Sequence, residues 1–400
     1  MVSISRLLLG LSSYGDQLRY SGPSEKLPST GPVVVWNITR ACNLNCIHCY
    51  TSSDGKAASG ELTTLEAKQI IDDLAEYGVP VILFSGGEPL IRSDIFDLIA
   101  YAVQRGIRVT LSTNGTLIDL GTARKIKELG VSYVGISLDG IGTNHDRFRG
   151  RTGAFDATLN GIHNCRAVGQ KVGLRFTINR QNYGEIDALF HLVATENIPR
   201  VCFYHLVYAG RGKAIIGEDL SHPETRAVMD QIFNRTVELF KDGKPVEVLT
   251  VDNHCDAVYL YLKLFREQSP QVAEVYRLLS RNGGNRSGVA LGAIDWQGVV
   301  YPDQFTRNYP LGNVRETKFG EIWSDLSNPI MAGLKNRVGL VGGRCARCRW
   351  FSFCNGNFRA RAEAVFDDFW AEDPACYLTD AEISYWGWPH VGFLEHYECL

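Results

Sequence analysis

Apolar and polar positions in the first half of the chain alternate in a way that predicts repeated strand and helix units. Short β-branched runs recur, and each is followed by a stretch with the apolar period of a surface helix. The predicted strands are 33–38, 80–85, 107–112, 133–138, 172–178 and 201–207, and the predicted helices lie near 63–77, 94–105, 119–129, 155–168 and 184–196. Six such units imply an α/β fold, a partial (β/α)6 barrel whose parallel strands are joined by right-handed crossovers.

The pattern changes after about residue 210. Long helical stretches are expected at 223–242 and 256–281, followed by a Gly/Asn-rich break at 282–285 and a hairpin around 293–302. A cysteine-rich segment completes the chain. We therefore expect four parts, which are an N-terminal arm (1–32), the partial barrel (33–210), a helical linker region (211–288) and a C-terminal domain (289–400).

Composition narrows the classes of function. Hydrophobic residues make up 45% of the chain and charged residues 21%, which is typical of a compact globular protein. A formal net charge of -3 argues against nucleic acid and anionic membrane surfaces as partners, since both require a basic face. The apolar N-terminal patch is too short for a signal segment or a membrane span. We expect a cytoplasmic protein whose 11 cysteines serve metal binding or catalysis more than cross-linking.

Three of these cysteines follow the first predicted strand. Cys42, Cys46 and Cys49 have C-x3-C-x2-C spacing. Three thiolates can hold an iron-sulfur cubane and leave one iron open to a small molecule. Zinc held with the help of His48 is an alternative, although structural zinc usually draws its ligands from two separated loops. A disulfide framework is a weaker alternative, because a chain of this length buries enough core without cross-links.

Polar residues and glycines follow the next strands. Gly86, Gly87 and Glu88 come after the second strand, Asn114 after the third, and the Ser137–Asp139 segment after the fourth. Ligand sites of parallel sheets lie at the carboxyl ends of the strands. Each of these short motifs is also compatible with an ordinary turn, and their recurrence at successive strand ends favours a site.

Together with the cysteine loop, these motifs resemble the radical S-adenosylmethionine (SAM) superfamily, with His48 at the position of its usual aromatic residue. The resemblance implies a 4Fe-4S cluster whose open iron binds SAM, and an external one-electron reductant that drives cleavage to methionine and a 5'-deoxyadenosyl radical. It also implies which residues contact each part of SAM. Gly86, Gly87 and Glu88 would bind the ammonium group, and Ser137 and Asp139 the ribose. Asn114 would contact the sugar or the carboxylate, Arg175 the carboxylate, and His205 and Tyr208 would lie near the adenine. For Arg175, His205 and Tyr208, a structural role is an equal alternative.

A second cysteine group lies near the C-terminus. Cys345, Cys348, Cys354 and Cys376 have C-x2-C-x5-C-x21-C spacing, and four thiolates can saturate a cluster or bind zinc. With the preceding segment 311–323, they resemble the auxiliary-cluster extension (SPASM or twitch type) of some radical SAM enzymes. The full SPASM version has about seven cysteines, so the resemblance implies one auxiliary 4Fe-4S cluster here. The remaining cysteines are expected to be isolated thiols; they are Cys165, Cys202, Cys255 and Cys399. Cys255 is an alternative ligand for the second metal site.

Four further segments, 145–149, 208–212, 342–345 and 371–380, resemble the NirJ-type proteins of heme d1 biosynthesis. That resemblance implies a tetrapyrrole substrate, 12,18-didecarboxysiroheme, from which radical chemistry removes two propionate side chains. The substrate carboxylates require local cations, and the candidates on the barrel loops are Arg147, Arg149, Arg151, Arg211 and Lys213, with His205 as a further contact. Hydrogen abstraction requires close placement and no acid-base residue.

Three alternatives remain open. The first is a heme synthase that decarboxylates propionates to vinyl groups on the same kind of scaffold. The second is a peptide maturase, although only about 32 residues precede the first strand, which is short for a peptide-recognition domain. The third is a non-catalytic iron-sulfur or zinc module for electron transfer, which would produce no 5'-deoxyadenosine from SAM.

Overall fold

The structure is a computed structural model that describes residues 1–20 and 31–384. Its centre is one sheet in the order β1-β8-β7-β6-β5-β4-β3-β2-β9-β10-β11. The pairs from β8 through β2 to β9 are parallel, and the outer pairs are antiparallel. The strands are β1 (Val2–Ser3), β2 (Val33–Asn37), β3 (Val81–Ser85), β4 (Arg108–Thr113), β5 (Tyr133–Ser137), β6 (Val172–Ile178), β7 (Arg200–His205), β8 (Glu247–Val251), β9 (Leu291–Ile294), β10 (Val299–Tyr301) and β11 (Gly312–Asn313).

Helices connect the parallel strands and cover the outer face of the sheet. The α-helices are α1 (Ile4–Leu9), α2 (Asp16–Tyr20), α3 (Thr64–Glu76), α4 (Ile95–Gln104), α5 (Leu120–Glu128), α6 (Thr143–Arg149), α7 (Ala154–Ala167), α8 (Ile186–Thr195), α9 (His222–Lys241), α10 (Cys255–Arg266), α11 (Val272–Asn282), α12 (Phe319–Ser324), α13 (Pro329–Lys335), α14 (Phe351–Cys354), α15 (Arg359–Phe366) and α16 (Asp380–Ile383). Short 3-10 helices are Pro89–Ile91, Tyr183–Glu185, Gly210–Glu218 and Gly343–Arg347. No helix in residues 1–20 or 31–384 combines the length and apolarity needed to cross a bilayer.

The two faces of the sheet differ in polarity. In β4, Val109 and Leu111 are completely buried in the main core, whereas the alternate residues Arg108, Thr110 and Ser112 are half-buried. Side chains alternate across a strand, so one set packs on the helices and the other faces the lumen of the partial barrel. Burial of each large aliphatic side chain on the outer face contributes about 1.5–3 kcal/mol. The polar lumen is therefore supported by an apolar outer layer.

All six predicted strands are present, and the sheet extends beyond them. The segment 211–288, expected to be helical, also contains β8, which pairs with β7 in parallel. The helix expected at 256–281 is two helices, α10 and α11, separated by a turn in which Gln268 has a φ of 52°. The expected hairpin is confirmed as β9 and β10, but β9 also pairs in parallel with β2. The arm contributes β1, which pairs with β8.

A buried ion pair fixes the C-terminal segment to the barrel. Arg361 on α15 and Asp373 are both completely buried, with 2.8 Å between Nη2 and a carboxylate oxygen. Arg361 also donates to the carbonyl oxygens of Asp252, at 2.6 Å, and Leu206, at 3.3 Å. Asp373 accepts from the Phe358 and Ala375 amides. These bonds join the ends of β7 and β8 to the segment that contains Cys376.

Candidate active site

The loop that follows β2 gathers three thiols at the carboxyl end of the sheet. Cys42 and Cys46 are buried, and Cys49 is half-buried and packs against them. Burial raises the pKa of Cys42 to about 12 and also raises that of Cys46. Thiolates in this loop therefore require nearby positive charge, which cluster irons supply. The donor set fits the cluster that the cysteine spacing predicts.

Arg211 fastens this loop to the segment after β7. Its Nε donates to the Cys46 carbonyl oxygen at 2.8 Å, and its Nη1 donates to the Ser53 carbonyl oxygen at 2.8 Å. Its backbone amide donates to the Cys49 carbonyl oxygen at 2.9 Å. Arg211, expected to contact substrate, therefore uses its described hydrogen bonds to shape the cysteine loop.

Arg149 is a second cation at the loop. It is buried, and its Nη1 lies 3.4 Å from Cys46 Sγ while its Nη2 forms an ion pair with Asp139. The Asp139 carboxylate also accepts from the Thr177 amide at 2.6 Å. His48 Nε2 lies 3.7 Å from Asp139, and burial lowers the pKa of His48 to about 4, so the ring is neutral. Arg149 thus offsets negative charge beside the thiols.

Three buried polar atoms at the cysteine loop lack hydrogen-bond partners within the described chain. They are His48 Nδ1, Arg149 Nε and Arg211 Nη2. Buried polar atoms are normally satisfied, so orphaned ones beside a ligand loop fit a site that a non-protein group completes. Arg147, by contrast, is exposed and donates to Asn144 Oδ1 at 2.6 Å on the outside of α6.

Gly86 and Gly87 lie directly against the cysteine loop. The Gly87 amide donates to the Thr39 carbonyl oxygen, and the Glu88 amide donates to the Ala41 carbonyl oxygen, each at 2.8 Å. A Cβ on Gly86 would lie 2.6 Å from the Thr39 oxygen. The glycines therefore permit a close backbone contact that any larger residue would push apart.

Replacing Gly87 by alanine is expected to displace the cysteine loop. The new Cβ would lie 2.6 Å from the Arg40 carbonyl oxygen and closer still to that of Ala41. Overpacking of this kind costs about 1–3 kcal/mol. Iron bound per chain after anaerobic reconstitution should fall together with 5'-deoxyadenosine formation. Gly184→Ala is the matched control, since a Cβ there meets nothing within 4 Å; equal iron content in the two variants would contradict the expectation.

Glu88 ties the second and third strand ends together. It is completely buried, and its carboxylate accepts from Thr113 Oγ1 at 2.8 Å, from the Asn114 amide at 2.8 Å and from the Leu90 amide at 3.2 Å. Burial raises its pKa to about 7, and these hydrogen bonds oppose the rise. Asn114 in turn donates through Nδ2 to Asn43 Oδ1 on the cysteine loop, at 2.8 Å. Both residues position the loop in this structure.

Beneath the loop lies a cavity of about 150 Å³ in the barrel lumen. It brings together five of the residues predicted for SAM or substrate, which are His48, Ser137, Arg149, Arg175 and His205. The other predicted site residues do not line this cavity among the described residues; they are Gly86, Gly87, Glu88, Asn114, Asp139, Arg147, Arg211 and Tyr208.

Arg175 crosses the lumen beside this cavity. Its Nη1 donates to Ser112 Oγ, and its guanidinium lies where a Cβ on Gly135 would collide with it. No carboxylate in the described residues lies within ion-pair distance of it. A half-buried guanidinium with one neutral partner is suited to bind an anion.

His205 belongs to a buried hydrogen-bonded chain. Its Nε2 lies 2.9 Å from Asp256 Oδ2, and the other Asp256 oxygen accepts from the Tyr377 hydroxyl at 2.7 Å. Tyr208 instead donates to Asp219 at 2.6 Å. Because Tyr377 follows Cys376, the Asp256 chain connects the small cavity to the second cysteine group.

The second group of thiols also converges. Cys345 and Cys354 are buried, and Cys348 and Cys376 are half-buried. Burial raises the pKa of Cys354 well above its usual range, and the negative charges of the other three thiolates raise it further. Cys255, one of the thiols expected to be isolated, lies beside Cys376, and its thiol donates a hydrogen bond to Asn253 Oδ1 at 3.0 Å. Within the described ranges, no three His, Cys, Asp or Glu side chains are grouped as ligands of a single ion.

The comparisons with known proteins agree with this geometry. The family model of the radical SAM superfamily matches residues 36–193. The Fe-coproporphyrin III synthase of Methanosarcina barkeri is 56% identical over 397 residues, which cover 96% of this chain and 100% of that protein. The chain belongs to the radical SAM superfamily.

Two further similarities concern a second enzyme and the fold. The pre-heme d1 synthase of Dinoroseobacter shibae is 44% identical over 376 residues, which cover 93% of each chain. The crystal structure of Streptococcus suis SuiB bound to S-adenosylmethionine has a TM-score of 0.69 at 18% identity and covers 88% of this chain and 78% of that one. The latter similarity shows a shared fold. The radical SAM family uses SAM and a 4Fe-4S cluster, and the relatives place this enzyme among those of heme biosynthesis.

Proposed function

We propose that the chain removes side chains from an iron tetrapyrrole and that its product is Fe-coproporphyrin III. The observation that carries this proposal is the 56% identity to the Methanosarcina barkeri Fe-coproporphyrin III synthase over that protein's entire length. The alternative suggested by the motifs 145–149 and 371–380 is a heme d1 enzyme, and the 44% identity to a pre-heme d1 synthase supports it less strongly.

The two reactions remove different groups from the same substrate class. The substrate 12,18-didecarboxysiroheme carries two acetates and four propionates, whereas coproporphyrin carries four propionates and four methyl groups. Formation of Fe-coproporphyrin III therefore removes both acetates and keeps every propionate. Formation of a heme d1 precursor removes two propionates and keeps the acetates. The products differ in mass, so one measurement separates the proposals.

In this proposal the protein positions SAM and the tetrapyrrole, and the cluster and SAM supply the radical. When bound, the cluster at Cys42, Cys46 and Cys49 and SAM provide a 5'-deoxyadenosyl radical. Gly86, Gly87 and Glu88 keep the cysteine loop against the strand ends, and the glycine backbone offers polar groups to the SAM ammonium. Ser137, Asp139 and Asn114 are proposed near the ribose or carboxylate, with Arg175 as the carboxylate partner.

For the second cysteine group we propose an auxiliary 4Fe-4S cluster held by Cys345, Cys348, Cys354 and Cys376. Four converging thiols leave no iron open, so the cluster would transfer electrons or support the fold. Zinc is the alternative, and metal analysis of the protein in which Cys42, Cys46 and Cys49 are all replaced by alanine distinguishes the two. That variant should retain about four irons per chain if the second group holds a cubane.

Mass spectrometry of the tetrapyrrole tests the proposed reaction. Reconstituted protein is incubated anaerobically with 12,18-didecarboxysiroheme, SAM and dithionite. We expect 5'-deoxyadenosine and a product with the mass of Fe-coproporphyrin III. A product that lacks two propionates would establish the heme d1 reaction, and vinyl groups formed with loss of carbon dioxide would establish a heme synthase. Cleavage of SAM with an unaltered tetrapyrrole would favour a peptide substrate, and no cleavage would favour an electron-transfer module.

A further inference from the structure

A second, larger cavity occupies the barrel lumen on the side of the strand N-termini. Its volume is about 780 Å³, within the range of about 300–1,000 Å³ that is typical of small-molecule sites. It adjoins the small cavity under the cysteine loop, because both are lined by Leu83, Arg175, Tyr204 and Gln304. A ligand in the larger cavity would therefore face the small cavity across these residues.

Besides Lys127, Lys171 and Arg175, the last of which also lines the small cavity, the cavity is lined by two groups of arginines. Arg19 and Arg200 are paired with Glu247, at 3.0 and 2.5 Å. Arg108 at the start of β4 and Arg286 in the turn before β9 have no carboxylate partner among the described residues. Both line the cavity.

The environment of the unpaired cations indicates an anionic ligand. Arg108 Nε is buried without a hydrogen-bond partner, and the guanidinium lies 5.1 Å from the centre of the Tyr14 ring. Burial lowers the pKa of Arg286, which shows that its charge is poorly solvated. Asp252 is the one carboxylate in the described wall, and burial raises its pKa to about 7. Two poorly compensated guanidinium groups in a mostly apolar cavity are suited to carboxylates.

We propose that this lumen binds the iron tetrapyrrole and that Arg108 and Arg286 each receive one of its carboxylates. The inference rests on the proposed function and extends it to a binding site. Strands β3 and β2 lie between β4 and β9, so three inter-strand spacings of about 4.8 Å separate the two arginines along the sheet. Their long side chains can reach carboxylates at different edges of one macrocycle, whose flat face packs on Val33, Val81 and Leu291.

This placement differs from the one expected from sequence. Arg149 is paired with Asp139, and the Arg211 guanidinium donates to the carbonyl oxygens of Cys46 and Ser53, so both shape the cysteine loop. Arg108 and Arg286 have no such ion pair among the described residues. Arg108 and Arg286 lie at the opposite end of the lumen, and the ligand is bound between that end and the small cavity.

Binding of iron coproporphyrin III to the reconstituted full chain tests the proposal by absorbance titration. Arg108→Gln and Arg286→Gln should each weaken binding about ten-fold or more, because each removes a charge-assisted hydrogen bond. The control Arg124→Gln, at an exposed position on α5, should bind like wild type. The tetramethyl ester of the same macrocycle should bind wild type much more weakly and should not distinguish the variants.

The outcomes separate the inference from the function on which it rests. Wild-type affinity in both arginine variants, or equal affinity of wild type for the acid and the ester, would overturn the carboxylate site while the tetrapyrrole reaction could still be observed. Failure of wild type to bind any iron tetrapyrrole would overturn the proposed function as well. The ester comparison needs no variant, so the proposal stays testable if an arginine variant does not fold.

Discussion

Replacement of Cys42 by alanine is expected to abolish reductive cleavage of SAM. Two thiols cannot hold the cubane in place of three, and the loop contains no spare thiol that could substitute for the lost ligand. If the C-terminal group holds a second cluster, iron should fall from about eight to about four per chain. Iron analysis and quantification of 5'-deoxyadenosine after anaerobic reconstitution measure both effects.

A cysteine outside the two groups provides the control for this loss. Cys165 on α7 is completely buried in the main core, and its thiol has no hydrogen bond among those described. Cys165→Ala should reduce stability modestly through a small cavity and leave iron content near the wild-type value. Undiminished 5'-deoxyadenosine in Cys42→Ala would refute the assignment of the cysteine loop. Loss of iron in Cys165→Ala as well would point to general unfolding.

The parallel sheet and the cysteine loop were predictable because their signals are local. Each strand is a short apolar run, and Cys42, Cys46 and Cys49 are close in the chain. Strand β8 was missed because a five-residue strand between two helices gives little signal, and its pairing with β7 depends on contacts far apart in sequence. The parallel pairing of β9 with β2 is equally non-local, so a hairpin was predicted without its place in the sheet.

For the candidate site, too, the sequence predicted where some residues lie but not which atoms they contact. Arg149 and Arg211 were expected to bind substrate carboxylates, and they lie at the cysteine loop, because spacing in the sequence does not show which neighbour a guanidinium contacts. Their hydrogen bonds go to Asp139 and to atoms of the loop. Arg108 was overlooked because it begins an ordinary strand; the alternation of Arg108, Thr110 and Ser112 with buried apolar residues was the available signal.

Breaking the buried pair of Arg361 and Asp373 by removing one partner should lower stability far more than breaking an exposed ion pair. Arg361→Met keeps most of the side-chain volume but leaves the Asp373 carboxylate buried without its counter-cation. Removal of one partner of a buried pair costs about 3–5 kcal/mol, whereas an exposed pair contributes less than about 1 kcal/mol. Lys318→Met, which breaks the exposed pair with Glu76, is the matched control. Urea unfolding under anaerobic conditions measures both changes.

The effect of Arg361→Met should also depend on pH. Burial acts to raise the pKa of Asp373, but Arg361 and hydrogen bonds hold this pKa below its usual range. The pair therefore stabilises the fold at pH values above the ordinary carboxyl pKa, and this contribution is lost as the pH falls. The difference between wild type and variant should therefore narrow in acid. The double variant Arg361→Met/Asp373→Leu should recover stability, because no unpaired charge remains buried. A double variant less stable than Arg361→Met would instead indicate that Asp373 matters chiefly through the Phe358 and Ala375 amides, which orient the segment leading to Cys376.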